Sequence, residues 1–321
     1  MTVSNRLGLK HVLSVSQFDR EKLQLICETA DRMERIRTSQ RKMSILRGYI
    51  LANVFCEPST RTDKSFEFAM KRLGGDVGSI NDVHVSSFSK GEDLEDGLRS
   101  LEACSADIVA LRHTEDDAAK RAAAVLSIPV INAGAGREEH PTQALLDVYT
   151  LVKERKTTSE VIHERIDGLT VTFVGDLKNG RTVRSKALLL SLFDVKMRFV
   201  SPPSIAMPES LRASLRERNV SFTEHESLEE VIRETDVLYV TRTQRERMDK
   251  AEYLKVQGSY VVDAQLMELA KPDMVLMHPL PRTGEIAKAV DQDPRAAYFR
   301  QIQNGLYVRM ALLALLLDAS V

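Results

Sequence analysis

Tryptophan is absent, and cysteine occurs only at Cys27, Cys56 and Cys104. These three lie far apart and form no CxxC pair. That argues against a disulfide framework or a zinc knuckle, and it suits a reducing, cytoplasmic setting. A dominant charge is missing too: 45 Lys and Arg stand against 46 Asp and Glu, for a net charge of -1. Neither nucleic acid nor an anionic membrane is expected as a partner. Any anion site must therefore be local, built from a few placed cations. The longest apolar run, Met310 to Leu317, is far too short to cross a bilayer. The amino-terminal stretch lacks the basic-then-apolar pattern of a signal peptide. There is no Walker loop, no metal-ligand motif and no nucleophile with its base. Gly134 and Gly136 do not complete GxGxxG, because residue 139 is Glu. A dinucleotide site, and with it a nicotinamide dehydrogenase, is poorly supported.

What is present is an alternation of strand-like and helix-like segments along 321 residues, enough for two domains. Residues 16–36 read as an amphipathic helix capped by Ser16, with Leu23, Ile26, Ala30 and Met33 on one face. Ile50 to Cys56 reads as a buried strand. A helix follows, carrying Phe66, Met70 and Leu73 and ending at Gly74-Gly75. Asp107 to Leu111 and Ile128 to Ile131 read as further strands, and Pro141 opens the next helix. The charged stretch 153–167 looks like a surface excursion. Beyond it, Leu169–Val174, Met197–Val200, Val237–Val240, Tyr260–Val262 and Val275–Met277 read as strands, and a helix at about 304–318 closes the chain. Such alternation predicts an α/β fold with two doubly wound domains, each a parallel sheet flanked by helices. Ligands of such sheets gather at the carboxyl ends of the strands.

Five segments fall at those places. Ser59-Thr60-Arg61-Thr62 lies between a strand and a helix, where unpaired backbone N–H groups, hydroxyls and a guanidinium make a phosphate cradle. Asn132 to Gln143 holds His140, a donor for a carbonyl, and Gln143, a reader of amides. Gly175-Asp-Leu-Lys-Asn-Gly-Arg181 and Thr241-Arg242-Thr-Gln244 each bring an arginine, and two forked cations suit a substrate with two carboxylates. His278-Pro-Leu-Pro-Arg282 is a stiff turn offering carbonyls. Read singly, each has an ordinary explanation: a helix cap, a structural histidine, a surface ion pair, a proline-stiffened loop. Together they are cations, hydroxyls and one histidine, which suits chemistry driven by orientation and charge stabilisation.

The segments Ser59-Thr-Arg-Thr, Ser65-Phe-Glu, Leu73-Gly-Gly, Lys90-Gly-Glu, His140-Pro-Thr-Gln-Ala-Leu-Leu-Asp, Gly175-Asp-Leu-Lys-Asn-Gly-Arg-Thr-Val and His278-Pro-Leu-Pro-Arg resemble, in order and spacing, the aspartate carbamoyltransferase family. The likeness covers essentially the whole chain. The segment Asp293-Pro-Arg-Ala-Ala-Tyr-Phe-Arg-Gln is similar to the transcarbamylase domain of large eukaryotic pyrimidine-synthesis polypeptides, which implies a place in a larger multifunctional chain. The resemblance implies a carbamoyl phosphate-binding domain at 1–141, completed by the C-terminal helix 297–321. It implies an aspartate-binding domain at 142–296 and an active site in the cleft between the two. It implies that Ser59, Thr60, Arg61, Thr62, Arg112 and His140 hold carbamoyl phosphate, with Gln143 and the backbone of Leu280 and Pro281 orienting its amide or the incoming amine. Arg181, Arg242 and Gln244 would bind aspartate. Ser86 and Lys90 would enter a neighbouring subunit's site, making a homotrimer. Arg61, Thr62, His140 and Lys90 would be catalytic, with no cofactor and no metal. Glu57, Arg181, Glu246 and Arg247 match positions of closure-linked ion pairs.

The chain departs from the family pattern at Asp63, Gly97, Thr114, Ala135, Arg184 and Gly284. A carboxylate at Asp63 would repel an anion, and Ala135 would loosen the His140 loop. An impaired scaffold domain is therefore one alternative. A carbamoyltransferase for another amino acid such as ornithine is the other, opposed by His-Pro-Leu-Pro in place of His-Cys-Leu-Pro and by Arg242 with Gln244.

Overall fold

The computed structural model describes residues 6–39, 43–81, 91–155 and 157–319. In chain order the elements are α1 (Arg20–Ser39), β1 (Ile50–Phe55), α2 (Thr60–Leu73), β2 (Asp76–Ile80), α3 (Leu94–Ala103), β3 (Ile108–Arg112), α4 (Ala118–Val125), β4 (Val130–Asn132) and α5 (Pro141–Glu154). Then come α6 (Ile162–Ile166), β5 (Thr170–Val174), α7 (Arg181–Leu190), β6 (Lys196–Val200), α8 (Glu209–Glu217), β7 (Ser221–His225), β8 (Val237–Val240), α9 (Lys250–Val256), α10 (Ala264–Leu269), β9 (Val275–Met277) and α11 (Tyr298–Leu316). The chain divides into two units, residues 1–146 with 303–321, and residues 147–302. The divisions fall inside α5 and α11.

In unit 1 the strand order is β2-β1-β3-β4, all parallel. β1 and β3 are apolar and buried almost throughout, so they take the middle. The register levels their ends: Phe55 pairs with Arg112 and Leu111 with Asn132. The loops after β1, β3 and β4 therefore leave from one edge of the sheet, where Arg112 ends β3 and the loops carry Ser59 and His140. α2 packs Phe66, Met70 and Leu73, all fully buried, and each such side chain contributes about 1.5–3 kcal/mol. It stops at Gly74, whose left-handed φ of 92° lets its N–H close the last turn on Lys71 and Met70. Arg309 of α11 donates to Ser65 Oγ of α2 at 2.9 Å.

In unit 2 the order is β7-β6-β5-β8-β9, again all parallel. Val174 pairs with both Val200 and Val240, and Tyr239 with Met277. Gly175, Thr241 and His278 thus emerge at one sheet edge. Helices flank both sheets, as the alternation predicts.

Local details differ from the sequence reading. Ser16 does not cap the helix: α1 starts at Arg20, where Asp19 Oδ1 accepts the Lys22 N–H at 2.8 Å, and Ser14 caps a separate short 3-10 turn, Val15–Gln17, through a capping box with Gln17. Tyr260–Val262 forms no strand, only a bridge between Val262 and Ile286, with Val261 exposed. The last helix starts at Tyr298, before the expected 304.

Candidate active site

The first half-site lies at the carboxyl edge of the unit 1 sheet. Ser59 occupies the cap position of α2, yet its hydroxyl makes no capping bond. Its carbonyl accepts the Asp63 N–H at 3.0 Å. The ordinary-cap explanation thus does not account for it. Thr60 and Arg61 are exposed on the first turn, and Thr62 is buried. Hydroxyls, a guanidinium and first-turn N–H groups meet at this helix start, as an anion requires.

Arg112 ends β3 with its side chain buried, and Nη2 is 3.0 Å from Glu57 Oε2. His140 is buried before α5, and its carbonyl accepts from Gln143 and Ala144 at 3.0 and 3.2 Å. Gly134 shows that Arg112 and His140 are neighbours. A Cβ there would lie 3.0 Å from His140 Cδ2, 3.2 Å from His140 Nε2 and 3.1 Å from Arg112 Nη1. At φ +106° this position also favours glycine. Asn132 shapes the loop: its Oδ1 accepts the N–H groups of Gly134 and Ala135 at 2.9 and 2.8 Å. Gln143 is half-buried in the first turn of α5.

The departures take concrete form here. Asp63 is buried, and its carboxylate accepts from Asn53 Nδ2 at 2.6 Å and Asn81 Nδ2 at 3.0 Å, with Lys64 at 3.5 Å. Burial pushes its carboxyl above the usual range. Its charge is therefore engaged by two amides and an ammonium. Ala135 is buried in an apolar cluster with Val109, Leu111 and Val130, so packing and Asn132 hold the loop. Ser86 and Lys90 lie outside the described residues.

The second half-site belongs to unit 2. Gly175, at φ +114°, approaches the Thr241 carbonyl so closely that a Cβ would lie 2.2 Å from it. Beyond it, fully buried Asp176 ties two loops together. Oδ1 accepts the Asn179 N–H at 3.0 Å and Oδ2 the Gln244 N–H at 3.1 Å. The Asn179 carbonyl in turn accepts Gln244 Nε2 at 2.9 Å and Arg247 Nη1 at 2.7 Å. Arg181 is half-buried at the start of α7. Arg242 makes a two-pronged ion pair with Glu246, its Nη1 lying 3.0 Å from Oε2 and its Nη2 bonded to Oε1. Glu246, with the nearby carboxylates Glu285 and Asp176, raises the guanidinium's pKa.

The His278 turn is held from inside. Nδ1 accepts the Leu280 N–H at 2.8 Å, so Nε2 carries the proton and bonds Glu285 Oε1 at 2.7 Å. Leu280 has φ 53°, and the Leu280–Pro281 bond is cis. Arg282 and Tyr298 both bond Asp291, holding its carboxyl down at about 2. Gly284 sits at φ +134°, which explains a glycine there. Arg184 donates to Ser210 Oγ of α8 at 3.2 Å. A cavity of about 380 Å³ borders Gly175, Thr241, Thr243, Tyr253, Tyr260 and Glu285.

Among the described residues no group of three or more His, Cys, Asp or Glu side chains is placed to hold a metal ion. No described helix is long and apolar enough to cross a membrane. Sequence reasoning assigned no role to Gly134, Asp176, Glu285 or Gln301. Gly134 and Asp176 each stand within two residues of a strand's end, and that position is the signal that could have found them.

Comparison with known proteins matches these two halves separately. Residues 10–153 match the family described as "Aspartate/ornithine carbamoyltransferase, carbamoyl-P binding domain", and residues 167–316 match "Aspartate/ornithine carbamoyltransferase, Asp/Orn binding domain". The chloroplastic aspartate carbamoyltransferase of Arabidopsis thaliana is 50% identical over 316 residues, covering 97% of this chain and 79% of that protein. The catalytic subunit of M. jannaschii aspartate transcarbamoylase superposes with a TM-score of 0.87 at 45% identity, over 97% of this chain and 98% of that one. The Trypanosoma cruzi aspartate transcarbamoylase, solved with N-(phosphonacetyl)-L-aspartic acid, has a TM-score of 0.86 at 39% identity, covering 94% of each chain. With both halves matched, and half the residues identical to the Arabidopsis enzyme over 97% of this chain, the chain belongs to the aspartate/ornithine carbamoyltransferase family.

Proposed function

We propose that this protein transfers the carbamoyl group of carbamoyl phosphate to the amino group of L-aspartate, giving N-carbamoyl-L-aspartate and phosphate for pyrimidine biosynthesis. The observation that carries the reading is the meeting of Arg112 and His140 across Gly134, at the sheet edge where α2 begins. Ser59, Thr60, Arg61, Thr62 and Arg112 hold the phosphate by charge and N–H donation. The amine attacks the carbamoyl carbon, the new C–N bond forms, the C–O bond to phosphate breaks, and the amine's proton leaves with the phosphate. Negative charge gathers on the carbonyl oxygen in between. Arg61 and His140 stabilise it there, the largest kind of catalytic term for such a step. Gln143 and the Leu280 and Pro281 carbonyls orient the carbamoyl amide, and Arg181, Arg242 and Gln244 hold aspartate. No cofactor enters.

A second cation on the amino acid would be repelled by Arg181 and Arg242, which favours aspartate over ornithine. A colorimetric assay should therefore register carbamoyl-aspartate and no citrulline when each amino acid is offered with carbamoyl phosphate. An aspartate reaction at background would sink the reading.

The resemblance of the loop 86–92 supports a homotrimer, each subunit lending Ser86 and Lys90 to its neighbour, and the three scattered cysteines support a reducing, cytoplasmic setting. Mixing inactive Arg61→Ala chains with inactive Lys90→Ala chains should then restore a fraction of activity. Mixed trimers that stay inactive would count against a shared site.

A further inference from the structure

The sheet of unit 1 ends at β4, a strand of three residues on the outer edge, and the loop that carries His140 leaves from it. An edge strand leaves one side of its backbone open to pairing. Here the amino-terminal segment 11–15 takes that side. Val12 bridges to Ile131 in parallel. Its N–H donates to the Val130 carbonyl at 2.9 Å, and its carbonyl accepts the Asn132 N–H at 2.7 Å. His11 Nδ1 accepts the Val130 N–H at 3.1 Å. Burial, with Lys10 alongside, keeps the His11 imidazole below its usual pKa, so it is neutral and able to accept. The Leu13 carbonyl accepts Asn132 Nδ2 at 2.9 Å.

Covering an edge needs no more than that, yet the contact continues past the end of the strand. Glu139, the residue that breaks the GxGxxG pattern, stands directly before His140 and is half-buried. Its Oε1 accepts the Ser14 hydroxyl at 2.9 Å and its Oε2 the Val15 N–H at 2.7 Å. The segment it grips is itself braced. Gln17 Oε1 accepts the Leu13 and Ser14 N–H groups at 2.6 and 3.0 Å, and Gln17 Nε2 donates to the His11 carbonyl at 3.1 Å. The earlier part of the loop is pinned from other sides. Asn132 Oδ1 holds the Gly134 and Ala135 N–H groups, the His113 carbonyl accepts the Gly136 N–H at 2.9 Å, and Asp116 Oδ1 accepts the Arg137 N–H. Between Arg137 and the start of α5 the loop is gripped by Glu139. A carboxylate facing two donors makes charge-assisted bonds, roughly twice as strong as neutral ones.

We propose that Glu139 is a positioning residue of the transferase: its carboxylate clamps the His140 loop to Ser14 and Val15, and the clamp keeps His140 where it meets Arg112. The consequence for turnover rests on the function proposed above; the clamp does not. Two features separate this role from that of a surface tether. Both carboxylate oxygens go to one partner segment, and the residue adjoins the imidazole whose placement the reaction needs. The fit there is close, since a Cβ at Gly134 would lie 3.0 Å from the His140 ring and 3.1 Å from the Arg112 guanidinium. A loop released at Glu139 lets the imidazole drift, and a misplacement of about 1 Å can cost up to about 10²-fold in rate. The aspartate ligands Arg181, Arg242 and Gln244 belong to unit 2, so their task is untouched. Loss of the clamp therefore lowers kcat and spares KM for aspartate. A glutamate with a structural role alone would lower stability and leave kcat per folded molecule unchanged.

The test uses the full chain with Glu139→Ala and Glu139→Gln, and Glu102→Ala as control. Glu102 accepts the Ser127 and Ile128 N–H groups at 2.8 and 3.2 Å, just before β4 begins. Its loss removes similar bonds from the other end of the same strand. Glu139→Ala should lower kcat roughly tenfold while KM for aspartate stays within about twofold of the parent. Glu139→Gln keeps an acceptor for Val15 and offers Ser14 an amide donor, so it should recover most of the rate. Glu102→Ala should turn over like the parent. A Glu139→Ala enzyme as fast as Glu102→Ala would overturn the proposal. Hydrogen exchange supplies a readout independent of activity. Exchange in 133–139 should quicken in Glu139→Ala and stay unchanged in Glu102→Ala, and equal exchange in the two would also overturn it. A parent that makes no carbamoyl-aspartate removes the proposed reaction but leaves the exchange result to decide the clamp. If Glu139→Ala does not fold, Ser14→Ala takes its place, since it removes one of the two bonds. Exchange in 133–139 must then quicken and kcat fall, and a variant unchanged in both sinks the clamp.

Discussion

Replacing Gly134 by alanine is expected to lower kcat by about 10²-fold while the protein remains folded. The single added carbon falls 3.0 Å from the His140 ring and 3.1 Å from the Arg112 guanidinium. Neither side chain has much room, since both are buried and Arg112 is paired with Glu57 at 3.0 Å. The backbone adds its own penalty, because φ +106° is poorly tolerated by any residue with a Cβ. That strain costs about 1–3 kcal/mol. Domain stabilities of about 5–15 kcal/mol absorb such a loss, so circular dichroism should show a folded chain with a lowered melting temperature. The chemistry is less forgiving. The charge that develops on the carbonyl oxygen is met only by donors at hydrogen-bond distance, and a displaced donor acts almost as a missing one. Gly78→Ala is the matched control: its Cβ would meet nothing within 4 Å, so kcat should stay near the parent value. A Gly134→Ala enzyme as fast as that control would show that Arg112 and His140 do not need this spacing.

The same glycine shows where the sequence stops being readable. His140, Arg181 and Arg242 stand out as residue types in the loops that follow strands, whereas Arg112 enters only through the family resemblance. The residues that hold those loops act through backbone geometry or hydrogen bonds across long sequence separations. Asp176 reaches Gln244, and Gln301 reaches both Asp147 and the His278 backbone. Periodicity carries no trace of such links. Asp63 makes the point from the other side: as a sequence letter it looks like an intruder beside a phosphate cradle, but two asparagines and Lys64 engage it.

Among the elements, legibility followed burial. β1, β3, β5 and β8 are apolar runs buried on both faces, and each was visible. β2 and β7 escaped notice because they are edge strands, Asp-Val-Gly-Ser-Ile and Ser-Phe-Thr-Glu-His, largely exposed. An edge strand in such a sheet gains its structure from the neighbour's hydrogen-bond ladder, so its own composition says little. Tyr260–Val262 shows the converse: three β-forming residues gain only the single bridge from Val262 to Ile286, so β-propensity alone makes no strand there.

Arg242→Ala is expected to reduce kcat/KM for aspartate by about 10²-fold and to leave equilibrium binding of carbamoyl phosphate unchanged. The guanidinium already shows how it receives a carboxylate, since both of its Nη atoms engage Glu246. A substrate carboxylate offers the same pair of oxygens, and a charge-assisted bond of this kind is worth about 1.5–3 kcal/mol. The surroundings push the loss to the upper end. Glu246, Glu285 and Asp176 all act on Arg242. Without its charge they present a negative field to an amino acid with two carboxylates, so attraction becomes repulsion. Lysine at this position should recover only part of the rate, because a point charge cannot reproduce the planar fork. Carbamoyl phosphate binding should change little, since the proposed phosphate ligands Ser59 to Thr62, Arg112 and His140 all belong to unit 1, and the Leu280 and Pro281 carbonyls proposed for its amide do not involve Arg242. Steady-state rates at varied aspartate, beside direct binding of carbamoyl phosphate, separate the two effects. An aspartate kcat/KM within about twofold of the parent would remove Arg242 from the amino-acid site, and a parallel loss of carbamoyl phosphate binding would mean that the variant damages more than one half-site.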